Sequence, residues 1–290
     1  MKYGIVIIAL GYPLYGNCAF NLALSIKDKC PDIEIAIVYE PQTISKLSER
    51  ELGFFDYFVT LDEKHYTVGG KKQYQRSKLC LDIITNKLGW THTVYMDADN
   101  LWLDRPFDWL FGELVKRDFF IGYNGDYNPI THIKTSLNYT YWASKSEKEI
   151  CRYHGITKTL PQTVSGFVYF KNGSEADEIF KKAREVYDDP KAPTITWAGG
   201  KPDEYCMNVA LGLRDYKQEK SHIFYFDKIN NTIPDEVIGK KYWGFATGGN
   251  AVSPKLVHLF NRTVNDLCIA NNIPTIQNRD TIFASCKPFF

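Results

Sequence analysis

Residues 3 to 10, YGIVIIAL, form a continuous apolar, β-branched run that breaks at Gly11 and Pro13, and an apolar-periodic stretch from Ala19 to Ile26 follows. The run reads as a buried strand and the stretch as one face of a helix. The pattern then repeats. IEIAIVYE (33 to 40) predicts a second strand, residues 43 to 51 a helical patch, and FDYFVTL (55 to 61) a third, short strand. Gln75 to Leu88 carries apolar residues at Leu79, Leu81, Ile83, Ile84 and Leu88 and stops at Gly89, the pattern of a helix with its C-terminal glycine. It leads into a strand at THTVYM (91 to 96), which runs straight into DADNLWLD (97 to 104). Strands alternating with helices predict an α/β fold whose central sheet is mainly parallel and covered on both faces.

The second half is less regular. It predicts strands at 118–123, 164–170, 223–226 and 255–260 and helices at 146–154, 175–187, 204–213 and 263–270, with long loops at 124–144 and 192–202. No internal repeat or low-complexity linker interrupts the 290 residues. One large α/β domain can fill that length.

Composition changes this picture little. Hydrophobic residues at 44% and charged residues at 24% place the chain with globular proteins rather than disordered or fibrous ones. A net charge of +1, without long Lys/Arg runs, offers no footprint for a nucleic-acid backbone. Many aromatic residues fall in polar loops such as YNGDYNP (123 to 129) and KKYWGFATGG (240 to 249), where rings either stack on sugars and bases or fold back onto the body.

Cysteines 18, 30, 80, 151, 206, 268 and 286 are scattered and odd in number, with no spacing that suits zinc, so a reducing, cytoplasmic compartment is expected. The N-terminal apolar run is too short for a signal peptide and lacks a cleavage site, and no window is long enough for a transmembrane segment. Four Asn-x-Ser/Thr sequons, at Asn138, Asn172, Asn230 and Asn261, carry no weight without a secretory signal.

The chemistry begins where THTVYM ends in two carboxylates, Asp97 and Asp99, one residue apart. In extended backbone they share a face. In open α/β sheets ligands collect beyond the C-terminal ends of strands, where this pair falls. Oxygen ligands suit hard ions such as Mg²⁺ or Mn²⁺, which bind a few carboxylates together with substrate phosphates. Asp-x-Asp also occurs in ordinary turns, with one Asp capping the next segment.

With these residues in order, the chain resembles the GT-A glycosyltransferases, a Rossmann-like nucleotide-diphospho-sugar transferase fold, and in particular the glycogenin-like retaining enzymes of glycosyltransferase family 8. LGYPLYGNCAFNLALSI is similar to the donor-base loop and helix, which would put Ala9, Leu10, Gly11 and Tyr15 at the nucleoside. The segment with Arg76 and Lys78 resembles the basic stretch preceding the family's Asp-x-Asp. VSGFVYFKNG (164 to 173) resembles the small-residue strand bordering the sugar pocket, with Ser165 in place of the customary second member of an Asn-Ala pair and Gly166 admitting close backbone approach. KPDEYCMNVAL (201 to 211) resembles the Asp-Gln-x-x-x-Asn segment, with Asp203 and Asn208 matching and Glu204 in place of Gln. LVHLF (256 to 260) resembles the strand whose His completes the metal site.

The resemblance implies that Asp97, Asp99 and His258 hold Mn²⁺ or Mg²⁺, with Ala98 lying against the donor between the carboxylates. Arg76 and Lys78 would face the donor phosphates or sugar, and Asp203 would bind sugar or acceptor hydroxyls, with Asp203 and Lys78 the expected catalytic pair. After His258 the family's Gly and Lys-Pro-Trp give way to NRTVND, so Arg262 or Lys287 would take the phosphate contact. The expected organisation is one domain, 1–290, with a nucleotide-sugar-binding half (1–104) and an acceptor-binding half (105–290). The expected activity is metal-dependent transfer from a nucleotide-diphosphate donor, a UDP-sugar by resemblance, with retention. Asp203 as nucleophile and Glu204 as base stay open. So do the acceptor, whether glycan, lipid-linked sugar, protein or modified DNA, and a homodimeric state. Two other readings are a nucleotidyltransferase, which would carry a Gly-rich basic loop where this chain has LGYPLYGN, and an inactive nucleotide-sugar-binding module.

Overall fold

The computed structural model describes residues 2–98, 100–102, 112, 114–123, 145–158, 160–161, 163–196, 199–216, 224–226 and 244–247. In chain order the elements are β1 (Tyr3–Ala9), α1 (Pro13–Lys29), β2 (Glu34–Tyr39), α2 (Pro41–Ile44), α3 (Glu49–Leu52), β3 (Tyr57–Val59), β4 (Thr67–Val68), β5 (Lys71–Lys72), α4 (Gln75–Lys78), α5 (Leu81–Asn86), β6 (His92–Asp97) and β7 (Asn100–Trp102). There follow β8 (Phe119–Tyr123), α6 (Glu147–His154), β9 (Thr163–Lys171), α7 (Ser174–Asp188), α8 (Asp203–Leu213), β10 (Phe224–Phe226) and β11 (Gly244–Thr247). The loop at 124–144, the strand expected at 255–260 and the helix expected at 263–270 lie outside the described residues.

The chain divides into two compact units. One comprises Tyr3–Thr60, Val94–Lys116 and His222–Phe290, the other Met1–Lys2, Leu61–Thr93 and Arg117–Ser221. In the first, neighbouring strands follow the order β3-β2-β1-β6. β1 and β2 run parallel from Gly4↔Glu34 to Ala9↔Tyr39, and β2 and β3 are also parallel. Ile5, Val6 and Ile7 of β1 and Ile35, Ala36, Ile37 and Val38 of β2 are wholly buried, as continuous apolar runs in a parallel sheet require. Against this sheet α1 buries Ala19, Leu22, Ala23 and Ile26. The helix starts six residues earlier than the apolar pattern suggests, because Pro13 occupies its first turn, where a missing N–H costs nothing and φ is already helical. A small second sheet, β10-β11-β7, completes this unit.

Two expected helices are each divided in two. Residues 43–51 form two turns, since Ser48 opens α3 as a capping box, its backbone N–H donating to Glu51 Oε2 at 2.7 Å. The helix expected at 75–88 breaks into α4 and α5. The Leu79 carbonyl there accepts from the Arg184 guanidinium at 2.6 Å instead of from the following turn.

In the other unit β8 and β9 pair antiparallel, with a bulge between Ile121 and Gly122. Phe119, Phe170 and Phe180 pack ring on ring beneath α7. α8 is buried from Tyr205 to Gly212 and packs on α7. No described helix is long and apolar enough to cross a membrane.

Candidate active site

β1 and β6 are neighbours and start side by side, the Lys2 carbonyl accepting from Thr91 N at 2.8 Å, so they run the same way and end at one edge. At that edge Ala9 and Leu10 are buried, and Gly11 turns the chain at φ 93°, a conformation that glycine adopts without strain. Gly11 N donates to Glu40 Oε2 at 2.9 Å. The Glu40 carboxylate, 6% exposed at the end of β2, also accepts from Gln42 Nε2 at 2.8 Å and boxes the start of α2 with Thr43. Tyr12 and Tyr15 stand exposed at the mouth of α1, ring centroids 6.4 Å apart. Asp97 is the last residue of β6, and its Oδ1 accepts from the hydroxyl of Tyr95, two residues back on the same strand face. Ala98 beside it is buried.

A second group forms in the other unit. Asp203, 6% exposed at the first position of α8, accepts a 2.5 Å hydrogen bond on Oδ2 from Ser165 Oγ of β9, and Lys78 Nζ at the end of α4 stands 3.7 Å from the same oxygen. One turn further along α8, Asn208 Oδ1 accepts from Thr163 N at 3.0 Å and Thr163 Oγ1 at 2.6 Å. Thr163 and Ser165 lie on one face of β9, so the two bonds strap α8 to the strand and set Asp203 in register with Ser165. Gly166 follows Ser165 within that strand. Lys78, Ser165 and Asp203 are thus brought together. Arg76 is turned elsewhere: its guanidinium grips Asp188 through Nε (2.8 Å) and Nη2 (2.6 Å) and donates to the His65 carbonyl. The Asp188 hydrogen bond holds its proton more firmly than usual. Asp99, His258, Arg262 and Lys287 lie outside the described residues.

No protein-family model and no curated protein sequence matches the chain. Solved structures do. The galactosyltransferase LgtC, in complex with donor and acceptor sugar analogues, aligns at a TM-score of 0.57 and 12% identity over 96% of this chain and 99% of its own. An active-site mutant of LgtC aligns at 0.54 over the same shares, also at 12% identity. The WbbM bifunctional glycosyltransferase aligns at 0.60 and 12% identity over 98% of this chain, which spans 51% of it. The chain has the GT-A glycosyltransferase fold.

In this GT-A chain, the sequence pattern did not single out Glu40 and Tyr12 at the edge where β1 and β2 end, nor the tie between Thr163 and Asn208. The signal for Glu40 was present, an acidic residue closing an apolar strand just before a proline-led turn. Among the described residues no group of three or more His, Cys, Asp or Glu side chains is close enough to hold a metal ion. Asp97 alone of the three expected ligands is described. As a hard oxygen donor at a strand end, oriented by Tyr95, it has the chemistry such an ion requires.

Proposed function

We propose that this GT-A chain is a metal-dependent glycosyltransferase that moves a sugar from a UDP-sugar to an acceptor hydroxyl with retention. The observation that carries the reading is the Lys78, Ser165 and Asp203 cluster. Among the described residues, Ser165 Oγ and Lys78 Nζ both approach Oδ2 of the Asp203 carboxylate. A nearly buried carboxylate held on one side in this way is suited to accept a sugar hydroxyl on the other.

In this reading Ala9, Leu10, Gly11 and Tyr15 take the nucleoside, with the exposed Tyr15 ring offering a face for the base. Asp97, Asp99 and His258 would hold the ion, Ala98 would lie against the donor, and Arg262 would add a phosphate contact. Bound there, Mn²⁺ or Mg²⁺ would supply the positive charge that stabilises a leaving diphosphate. Ser165 keeps the Asp203 carboxylate oriented, Gly166 lets the backbone approach the sugar, and the Lys78 ammonium supplies a charge-assisted hydrogen bond on the donor side. Arg76 acts on the donor only through the segment it anchors. The scattered, odd-numbered cysteines of the sequence suit a reducing, cytoplasmic setting.

The test is release of nucleoside diphosphate from a panel of nucleotide sugars with Mn²⁺. Release should require the metal, should fall about a hundredfold or more in Asp97→Ala and in Asp203→Asn, and should generate product of retained anomeric configuration. No release from any donor, joined with no nucleoside diphosphate binding by calorimetry, would sink the reading.

A further inference from the structure

The two halves of the Lys78 and Asp203 pair come from separate segments, and both segments are tied to the same helix end. Tyr187, 2% exposed in the last turn of α7, donates from its hydroxyl to Gln73 Oε1 at 2.9 Å and accepts from Lys201 N at 3.2 Å. Asp188, the next residue, holds Arg76 through both carboxylate oxygens. On the other side Lys201 Nζ donates to the Val186 carbonyl at 3.4 Å, the Tyr187 carbonyl at 2.5 Å and the Asp189 carbonyl. These are carbonyls that a helix C-terminus leaves without intrahelical donors, and a cation there also meets the negative end of the helix dipole. Gly200 completes the seat, since a Cβ at that position would stand 2.2 Å from the Tyr187 hydroxyl.

We propose that the last turn of α7 is a positioning hub that sets the separation of Lys78 from Asp203, with the Tyr187 hydroxyl as its junction. Gln73 and Arg76 lead directly to Lys78, and Gly200 and Lys201 lead directly to Asp203, so one phenol and its neighbours index both chains against a single rigid helix end. The phenol is suited to the task, because burial raises its pKa and keeps it a protonated donor throughout the neutral range. None of these groups need touch the donor. Their effect passes through Lys78 and Asp203, where displacement of about 1 Å can cost up to a hundredfold in rate. This inference takes its catalytic meaning from the glycosyltransferase reading, whereas its structural content stands apart from it.

The experiment pairs Tyr187→Phe, which keeps the ring and removes only the hydroxyl, with Lys78→Ala in a double-mutant cycle on donor hydrolysis. Backbone hydrogen exchange is followed in the same proteins. The Phe variant should lose about tenfold in kcat with the donor KM within about twofold, and should lose almost nothing more when Lys78 is already absent, as residues acting through one group do. Exchange should quicken across 73–78 and 199–203 and stay unchanged in β1 and β2. Fully additive effects, or unchanged exchange in both segments, would overturn the hub. If the wild type turns over no donor, the glycosyltransferase reading falls and the exchange data alone judge the hub.

Discussion

Gly16 sits in the first turns of α1, and a methyl built on it would lie 1.9 Å from the Thr43 carbonyl oxygen and 2.9 Å from its carbonyl carbon. Two opposed terms decide the effect of Gly16→Ala. Alanine in place of glycine favours the helix by about 1 kcal/mol. Against that, the contact must open by roughly 1.5 Å to reach ordinary van der Waals distance. The obstacle is backbone held in the Glu40 capping box, which has no rotamer to yield. Overpacking of this kind costs about 1–3 kcal/mol, and a rigid partner puts it at the upper end. The net expectation is a loss of about 2 kcal/mol, equivalent to a fall of about 4–8 °C in Tm. Thermal and urea unfolding of the two proteins side by side would measure it. An unchanged or higher Tm would refute the close seating of α1 on the 41–44 turn and the steric reasoning with it.

Asp82 and Arg184 form a nearly buried pair, with side chains 7% and 16% exposed and contacts of 2.5 and 2.7 Å that join α5 to α7. Asp82→Ala should therefore cost about 3–5 kcal/mol by stranding the guanidinium, while Asp82→Leu combined with Arg184→Met should recover much of the loss. Urea midpoints falling equally in both proteins would contradict this. Burial depresses the proton affinity of His65, His92 and His154, with neighbouring cations assisting at each. The unfolded chain therefore binds more protons near and below pH 6.5, so the stability from keeping these rings neutral is full above about pH 6.5 and is lost as pH falls through their folded values. Melts between pH 8 and pH 5 should show a declining Tm below about pH 6, with a shallower decline in His154→Gln. A Tm flat to pH 5 would reject the assignment.

Much of the fold was readable because it rests on local pattern. The apolar runs at 3–10 and 33–40 became β1 and β2, and the periodic stretches at 175–187 and 204–213 became α7 and α8 within a residue or so at each end. The capping box at Ser48 was equally present in the chain, and weighing it would have divided the 43–51 patch. The break between α4 and α5 was not readable, since the group that takes the Leu79 carbonyl lies 105 residues away.

The candidate site divides along the same line. The residue types of the pair at Asp97 and Asp99, of Lys78 and of Asp203 are properties of the chain and were legible from spacing and resemblance. Which side chain meets which was decided by the tertiary structure. Lys78 and Arg76 are both basic, two residues apart on one short helix, and nothing local distinguishes them. Lys78 nevertheless lies beside Asp203, while Arg76 pairs with Asp188 across 112 residues. Periodicity and turn chemistry act over a few residues and so are written locally. Pairing between charged side chains depends on which elements become neighbours, and folding alone establishes that.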